Sequence, residues 1–120
     1  MDCLFCKIIN REIPAEIVYE DDQVLAFNDI SPQAPFHILV IPKKHIATIN
    51  DISTEDETLV GHMVTAASKI AQELGFDQDG YRTVFNCNEH GGQTVYHIHL
   101  HILGGKPLGW PPYQDKLKTA

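Results

Sequence analysis

The stretch Val95-Tyr96-His97-Ile98-His99-Leu100-His101-Ile102-Leu103 puts a histidine at every second position. Side chains of a strand turn to opposite faces with a period of two. The spacing therefore predicts a strand over 96–103 in which His97, His99 and His101 share one face while Ile98, Leu100 and Ile102 take the other. An apolar face pointing to a core and a row of imidazoles pointing away from it make a reactive surface on a rigid support.

The elements around this strand fit a sheet with few helices. Upstream, Asn88-Glu89-His90-Gly91-Gly92-Gln93-Thr94 reads as a loop whose two glycines let backbone approach a ligand closely, and Tyr81 to Cys87 reads as a strand before it. One long helix is expected from Thr54 to Leu74. Ser53 or Thr54 can cap it, Glu55, Asp56 and Glu57 complement its positive end, and Gly75 stops it. Leu59, Val60, Met63, Val64, Ala67, Ile70, Ala71 and Leu74 recur at helical spacing as a core or subunit-contact stripe. His37-Ile38-Leu39-Val40-Ile41, ended by Pro42, is a continuous apolar run suited to a central strand. Ile17 to Glu20 and Val24 to Asn28 form a hairpin about Asp21-Asp22-Gln23, and Leu4 to Asn10 is a short helix or turn that must end before Ile13-Pro14.

No repeat or linker divides the 120 residues, so one domain over 1–120 is expected, with 104–120 an irregular tail rich in Gly and Pro. A net charge of −7 without a basic run argues against binding DNA or RNA through phosphate neutralisation. No apolar run reaches the roughly 18 residues of a membrane span, and the start lacks a basic leader. A cytoplasmic address and no membrane partner are expected. Three cysteines, two of them close together as Cys3-Leu4-Phe5-Cys6, do not resemble a secreted disulfide framework and read as thiols or metal ligands.

Three chemistries fit the histidine row. A neutral imidazole can attack a phosphoryl centre and give a phospho-imidazole that water opens. In that case His99 is the natural nucleophile, and His97 and His101 orient it and stabilise non-bridging oxygens. A His-x-His strand is also a metal-ligand pair, and the row can equally be structural. The Gly91-Gly92 loop favours a phosphate. Neither a Walker A sequence nor Gly-x-Gly-x-x-Gly is present.

His-Ile-His-Leu-His-Ile-Leu resembles the His-φ-His-φ-His-φ-φ signature of the histidine triad superfamily, φ being apolar. The likeness extends through Phe27-x-Asp29-Ile30-Ser31-Pro32-Gln33-Ala34-Pro35, Val40-Ile41-Pro42-Lys43-Lys44-His45, Gly91-Gly92-Gln93 and Gly104-Gly105, which look like the Hint branch, the purine nucleoside phosphoramidases. The resemblance implies an α+β fold, a five-stranded antiparallel sheet with two helices, dimerising into a ten-stranded sheet. It implies hydrolysis of the P–N bond of purine nucleoside 5′-phosphoramidates and aminoacyl adenylates through a nucleotidyl-histidine intermediate, with no cofactor required for catalysis. Carried over by position, His99 is the nucleophile, and His101, His97 and His37 assist it. Asn86, Gln93, Thr94 and the amide of Val95 hold the phosphate and leaving group. Asp29 binds the ribose, Leu4, Phe5, Ile8, Phe27 and Ile30 form the base pocket, and Trp110 and the tail approach the partner subunit's site.

The chain departs from the pattern at Asn28, where many relatives have His, and at Thr94, where many have Ser. Cys3-x-x-Cys6 resembles bacterial relatives and galactose phosphate uridylyltransferases, in which such a pair joins two histidines around a structural zinc. The matching histidines here are His45 and His97. Two other functions remain to be weighed against the phosphoramidase: a nucleotide-binding regulatory module acting through a partner, and a metallohydrolase using the histidine row as ligands.

Overall fold

The hydrophobic run of residues 37–41 becomes the middle of the molecule. In the computed structural model, which describes residues 3–113, strands β1 (Ile17–Glu20), β2 (Val24–Asn28), β3 (Phe36–Pro42), β4 (Tyr81–Phe85) and β5 (Leu100–Gly104) form one antiparallel sheet in the order β1-β2-β3-β5-β4. Directly opposed residues of antiparallel strands share a face. The registers Leu25↔Ile41, Phe27↔Leu39, Leu39↔His101 and His37↔Leu103 therefore line up Leu25, Phe27, Leu39, Ile41, His37 and His101 on one side. Val24, Ala26, Ile38, Val40, Leu100 and Ile102 occupy the other, where helix α2 (Glu57–Leu74) covers them with Met63, Ala66, Ala67, Ile70 and Ala71. Both faces of β3 are buried, which is why its sequence does not alternate.

Helix α1 (Leu4–Ile9) packs on the histidine side. Cys3 caps it, and its Sγ accepts the Cys6 amide at 3.4 Å. The β1–β2 turn closes on Asp21, whose Oδ1 accepts the amides of Gln23 and Val24. Its Oδ2 is 2.6 Å from His62 Nε2 on α2, which ties the hairpin to the helix. Helix α2 is preceded by a 3-10 turn, Thr54–Asp56, and stops where Gly75 turns left-handed at φ 81°.

Four expectations are corrected. The histidine strand begins at Leu100, not Tyr96, because the pairing register would bring Ile98 opposite Pro42, which has no N–H to offer the ladder. The Ile98 amide instead donates to Ile46 O at 2.8 Å. Alternation survives outside the ladder, since Ile98 joins the α2 core and His97 is fully buried on the other side. Strand β4 ends at Phe85 rather than Cys87, and the expected Asn88–Thr94 loop opens with a helical turn, α3 (Asn88–Gly91), closed by Gly92 at φ 80°. The stripe on α2, expected as core or subunit contact, is not among these: its Val64 and Leu74 are 51% and 42% exposed, and Ala66, outside it, is buried. The irregular tail begins only after Gly104, the last residue of β5, and its stretch 114–120 lies outside the described residues.

Candidate active site

The histidine face of the sheet, α1 and the α3–β5 loop enclose a cavity of about 670 Å³. Leu4, Phe5, Ile8, Phe27, Asp29, Ile30, His37, Thr94, Val95, His99 and His101, all singled out in the sequence, line it. So do Ile13, Pro14, Ala15, Ser31, Gln33 and Leu39, which were not anticipated, together with Asn28 and Gly92. Leu39 could have been found from its two-residue offset to His37. Ile13-Pro14-Ala15 could have been found as an apolar connector returning past α1.

The polar end of the cavity is a chain of histidine hydrogen bonds whose proton positions follow from its fixed donor. The Gln33 amide can only donate, and it donates to His37 Nδ1 at 3.0 Å. Neutral His37 must then carry its proton on Nε2, which faces His101 Nδ1 at 2.9 Å. His101 in turn accepts there and keeps its own proton on Nε2. His99 is arranged the opposite way: its Nδ1–H donates to the His97 carbonyl at 2.8 Å, which leaves the lone pair on Nε2. The ring centroids of His99 and His101 lie 5.0 Å apart, one ring with a lone pair on Nε2 and the other with a hydrogen there. Phe5 stands edge-on to His99 at 5.1 Å and 89°.

Burial keeps these imidazoles uncharged. It pushes His99 and His37 below their ordinary values, and it pushes His101 to about 4 with help from the neighbouring His99 and His37. Asp29 is aimed by the Ser31 amide, which donates to Oδ1 at 2.7 Å, while Oδ2 lies 3.5 Å from His37 Nε2.

Four residues carried over from the resemblance do not line this cavity; for Trp110, assigned to the partner subunit's site, that is as expected. Gln93 is 6% exposed and its side chain is engaged internally. Oε1 accepts the Asn88 amide at 2.9 Å, and Nε2 donates to Ala47 O and Val95 O at 2.8 and 3.1 Å. It braces the loop rather than facing the cavity. Asn86 follows β4, its backbone packed against Gly91. Trp110 is 83% exposed, beyond a segment anchored by Arg82, whose Nη2 donates to Gly109 O at 2.7 Å. The His97 ring is turned out of the row, and only its carbonyl serves His99.

That ring belongs to a second cluster. Cys3 Sγ, Cys6 Sγ, His45 Nδ1 and His97 Nδ1 all lie within 4.8 Å of one another. Cys3 and Cys6 are 3.3 and 3.6 Å from His97 Nδ1, Cys6 is 3.5 Å from His45 Nδ1, and the two nitrogens are 3.2 Å apart. A tetrahedral zinc with bonds of about 2.3 Å to sulfur and about 2.0–2.1 Å to nitrogen separates S from N by about 3.6 Å and N from N by about 3.3 Å. The four donors fit it. His97 Nε2 lies 2.7 Å from Pro42 O, the outer hydrogen bond that frees Nδ1 to ligate. Burial, together with the adjacent Cys3, pushes the Cys6 thiol up, a cost that a bound cation removes.

An uncharged imidazole with a free lone pair, a neighbouring donor imidazole and a glycine-bearing loop share the polar end of one cavity. The sequence profile described as scavenger mRNA decapping enzyme C-term binding matches residues 2–108. The chain is 60% identical over 108 residues, 90% of its length and 91% of the relative's, to the purine nucleoside phosphoramidase of Escherichia coli strain K12. Among solved structures, an HIT family hydrolase from Legionella pneumophila Philadelphia 1 superposes with a TM-score of 0.92 at 58% identity, covering 93% of this chain and all (100%) of that one. A histidine triad protein from Clostridium difficile gives 0.89 at 55% identity, covering 95% and 97%. The chain belongs to the histidine triad family.

Proposed function

We propose that the protein hydrolyses the P–N bond of purine nucleoside 5′-phosphoramidates, the activity named for its Escherichia coli relative. The observation that carries the reading is the pair of fixed partners, the Gln33 amide on His37 and the His97 carbonyl on His99, which assign the lone pair to Nε2 of His99 and the proton to Nε2 of His101. His99 Nε2 attacks phosphorus and forms an N–P bond while the P–N bond to the amine breaks. The leaving amine takes a proton relayed from water through His101 Nε2–H, so that His101 ends neutral. Water then opens the nucleotidyl-histidine, releasing nucleoside monophosphate and returning the proton. Apolar Leu4, Phe5, Ile8, Phe27 and Leu39 hold the base, Asp29 Oδ2 meets the ribose hydroxyls, and Thr94 with the Val95 amide holds the phosphate end.

Cys3, Cys6, His45 and His97 hold a structural zinc in this reading; with four protein ligands it has no open position for substrate and supplies folding energy. The exposed Val64 and Leu74 and the edge strand β4 suit a homodimer. Among the described residues no helix is long and apolar enough to cross a membrane. The test is turnover of tryptamine adenosine phosphoramidate beside guanosine and pyrimidine analogues. Release of amine and nucleoside monophosphate is expected; binding without turnover would leave a nucleotide-binding module.

A further inference from the structure

His97 is shared by the two clusters. Its imidazole sits among Cys3, Cys6 and His45, while its carbonyl oxygen accepts the Nδ1–H of His99. A second link runs through Cys3, the cap of α1, to Phe5, whose ring meets His97 edge-on at 6.0 Å and His99 at 5.1 Å. The His97 peptide is thus tied by its ring to one centre and by its oxygen to the other. The Nδ1 atoms of His45 and His97 face each other at 3.2 Å, beside the two thiols.

We infer that the Cys3–Cys6–His45–His97 centre is a positioning device for the nucleophile: by holding His97 it fixes the tautomer and aim of His99. The inference rests on the two readings above, zinc in the cluster and His99 as nucleophile. His97 is accordingly a positioning residue. A staple that served only the chain start would leave the chemical step unchanged in any molecule that remained folded.

The test compares the zinc-loaded protein, the same protein after chelation, and His45→Asn, chosen because His45 neither lines the cavity nor meets Phe5 or His99. Metal content, kcat, KM, AMP affinity by calorimetry and the ring ¹⁵N shifts of His99 are measured. Loss of metal should lower kcat by roughly tenfold or more, change AMP affinity by less than about threefold, and move the His99 ring nitrogens away from a uniform Nδ1–H form. Returning zinc to the chelated protein should restore both. Metal loss with kcat and the His99 signals unmoved would overturn the inference. Protein that never contains metal would overturn the zinc reading, and the inference with it. Should the metal-free chain unfold, cadmium in place of zinc supplies the second measurement. Its longer bonds displace His97 in a folded molecule, so kcat and the His99 signals should shift, and identical values for the two metals would sink the idea.

Discussion

At the level of single residues, the row His97, His99, His101 divides into three different jobs that its even spacing hides. His99 alone combines a donor-anchored Nδ1 with a lone pair in the cavity, so His99→Gly should lower turnover by roughly three or more orders of magnitude while nucleoside monophosphate still binds. Intact mass of acid-quenched wild type should show one added nucleotidyl group. An active variant whose adduct maps elsewhere would remove His99 from the role. Gln93, a phosphate-end residue by position, has its side chain engaged within the loop. Three hydrogen bonds engage its buried amide, so Gln93→Glu turns a donor into an acceptor facing the carbonyls of Ala47 and Val95. It should cost about 1–3 kcal/mol in a urea titration, with loosened Asn88 and Val95 amides in hydrogen exchange. A direct phosphate ligand would instead lose nucleotide affinity at full stability.

At the level of elements, period and punctuation carry most of the information. Strands β1 and β2 stand at the bounds expected from their apolar runs, and Gly75 ends α2 as its conformation allows. What the sequence hides is tertiary. The late start of β5 depends on Pro42 in a partner strand, and the choice between Val64 and Ala66 on α2 depends on how the helix rotates over Ile38, Val40 and Ile102. Gly104 is another residue decided across elements. A Cβ there would stand 2.5 Å from Phe76 Cδ1, and that ring is stacked on Phe36 at 4.4 Å and edge-on to Tyr81 at 5.7 Å. Gly104→Ala should therefore destabilise the fold by about 1–3 kcal/mol, read as a lower urea midpoint at unchanged slope. Wild-type stability would mean that the ring has room to move.

For the whole molecule, buried neutral histidines on one side of the sheet and a charged hairpin turn tied to α2 give two separate acid transitions. His101, pushed to about 4 by burial and its histidine neighbours, and His37, also lowered by burial, stay neutral in the fold while an unfolded chain protonates near the ordinary 6.5. Above 6.5 the two states bind the same protons at these sites. At His101 the unfolded chain binds more between 6.5 and about 4, so stability falls as pH falls and the loss is complete below about 4; His37 adds to the fall beneath 6.5 in the same direction. Asp21 acts lower. Burial opposes its charge, yet the Gln23 amide, His62, the Val24 amide and the Tyr19 hydroxyl outweigh that and hold it well below the ordinary 3.8, so its contribution is present above 3.8 and lost only beneath it. Urea titrations from pH 7 to pH 4 should show falling stability in wild type. The His101→Asn variant cannot take up that proton, and its profile should be flatter by about one proton per molecule. Both measurements are best made with zinc in excess, so that release of ligands from Cys3, Cys6, His45 and His97 enters both profiles alike. Parallel wild-type and variant profiles across that window would show that His101 takes up its proton as readily in the fold as out of it, and the donor tautomer assigned to it in the proposed chemistry would lose its physical basis.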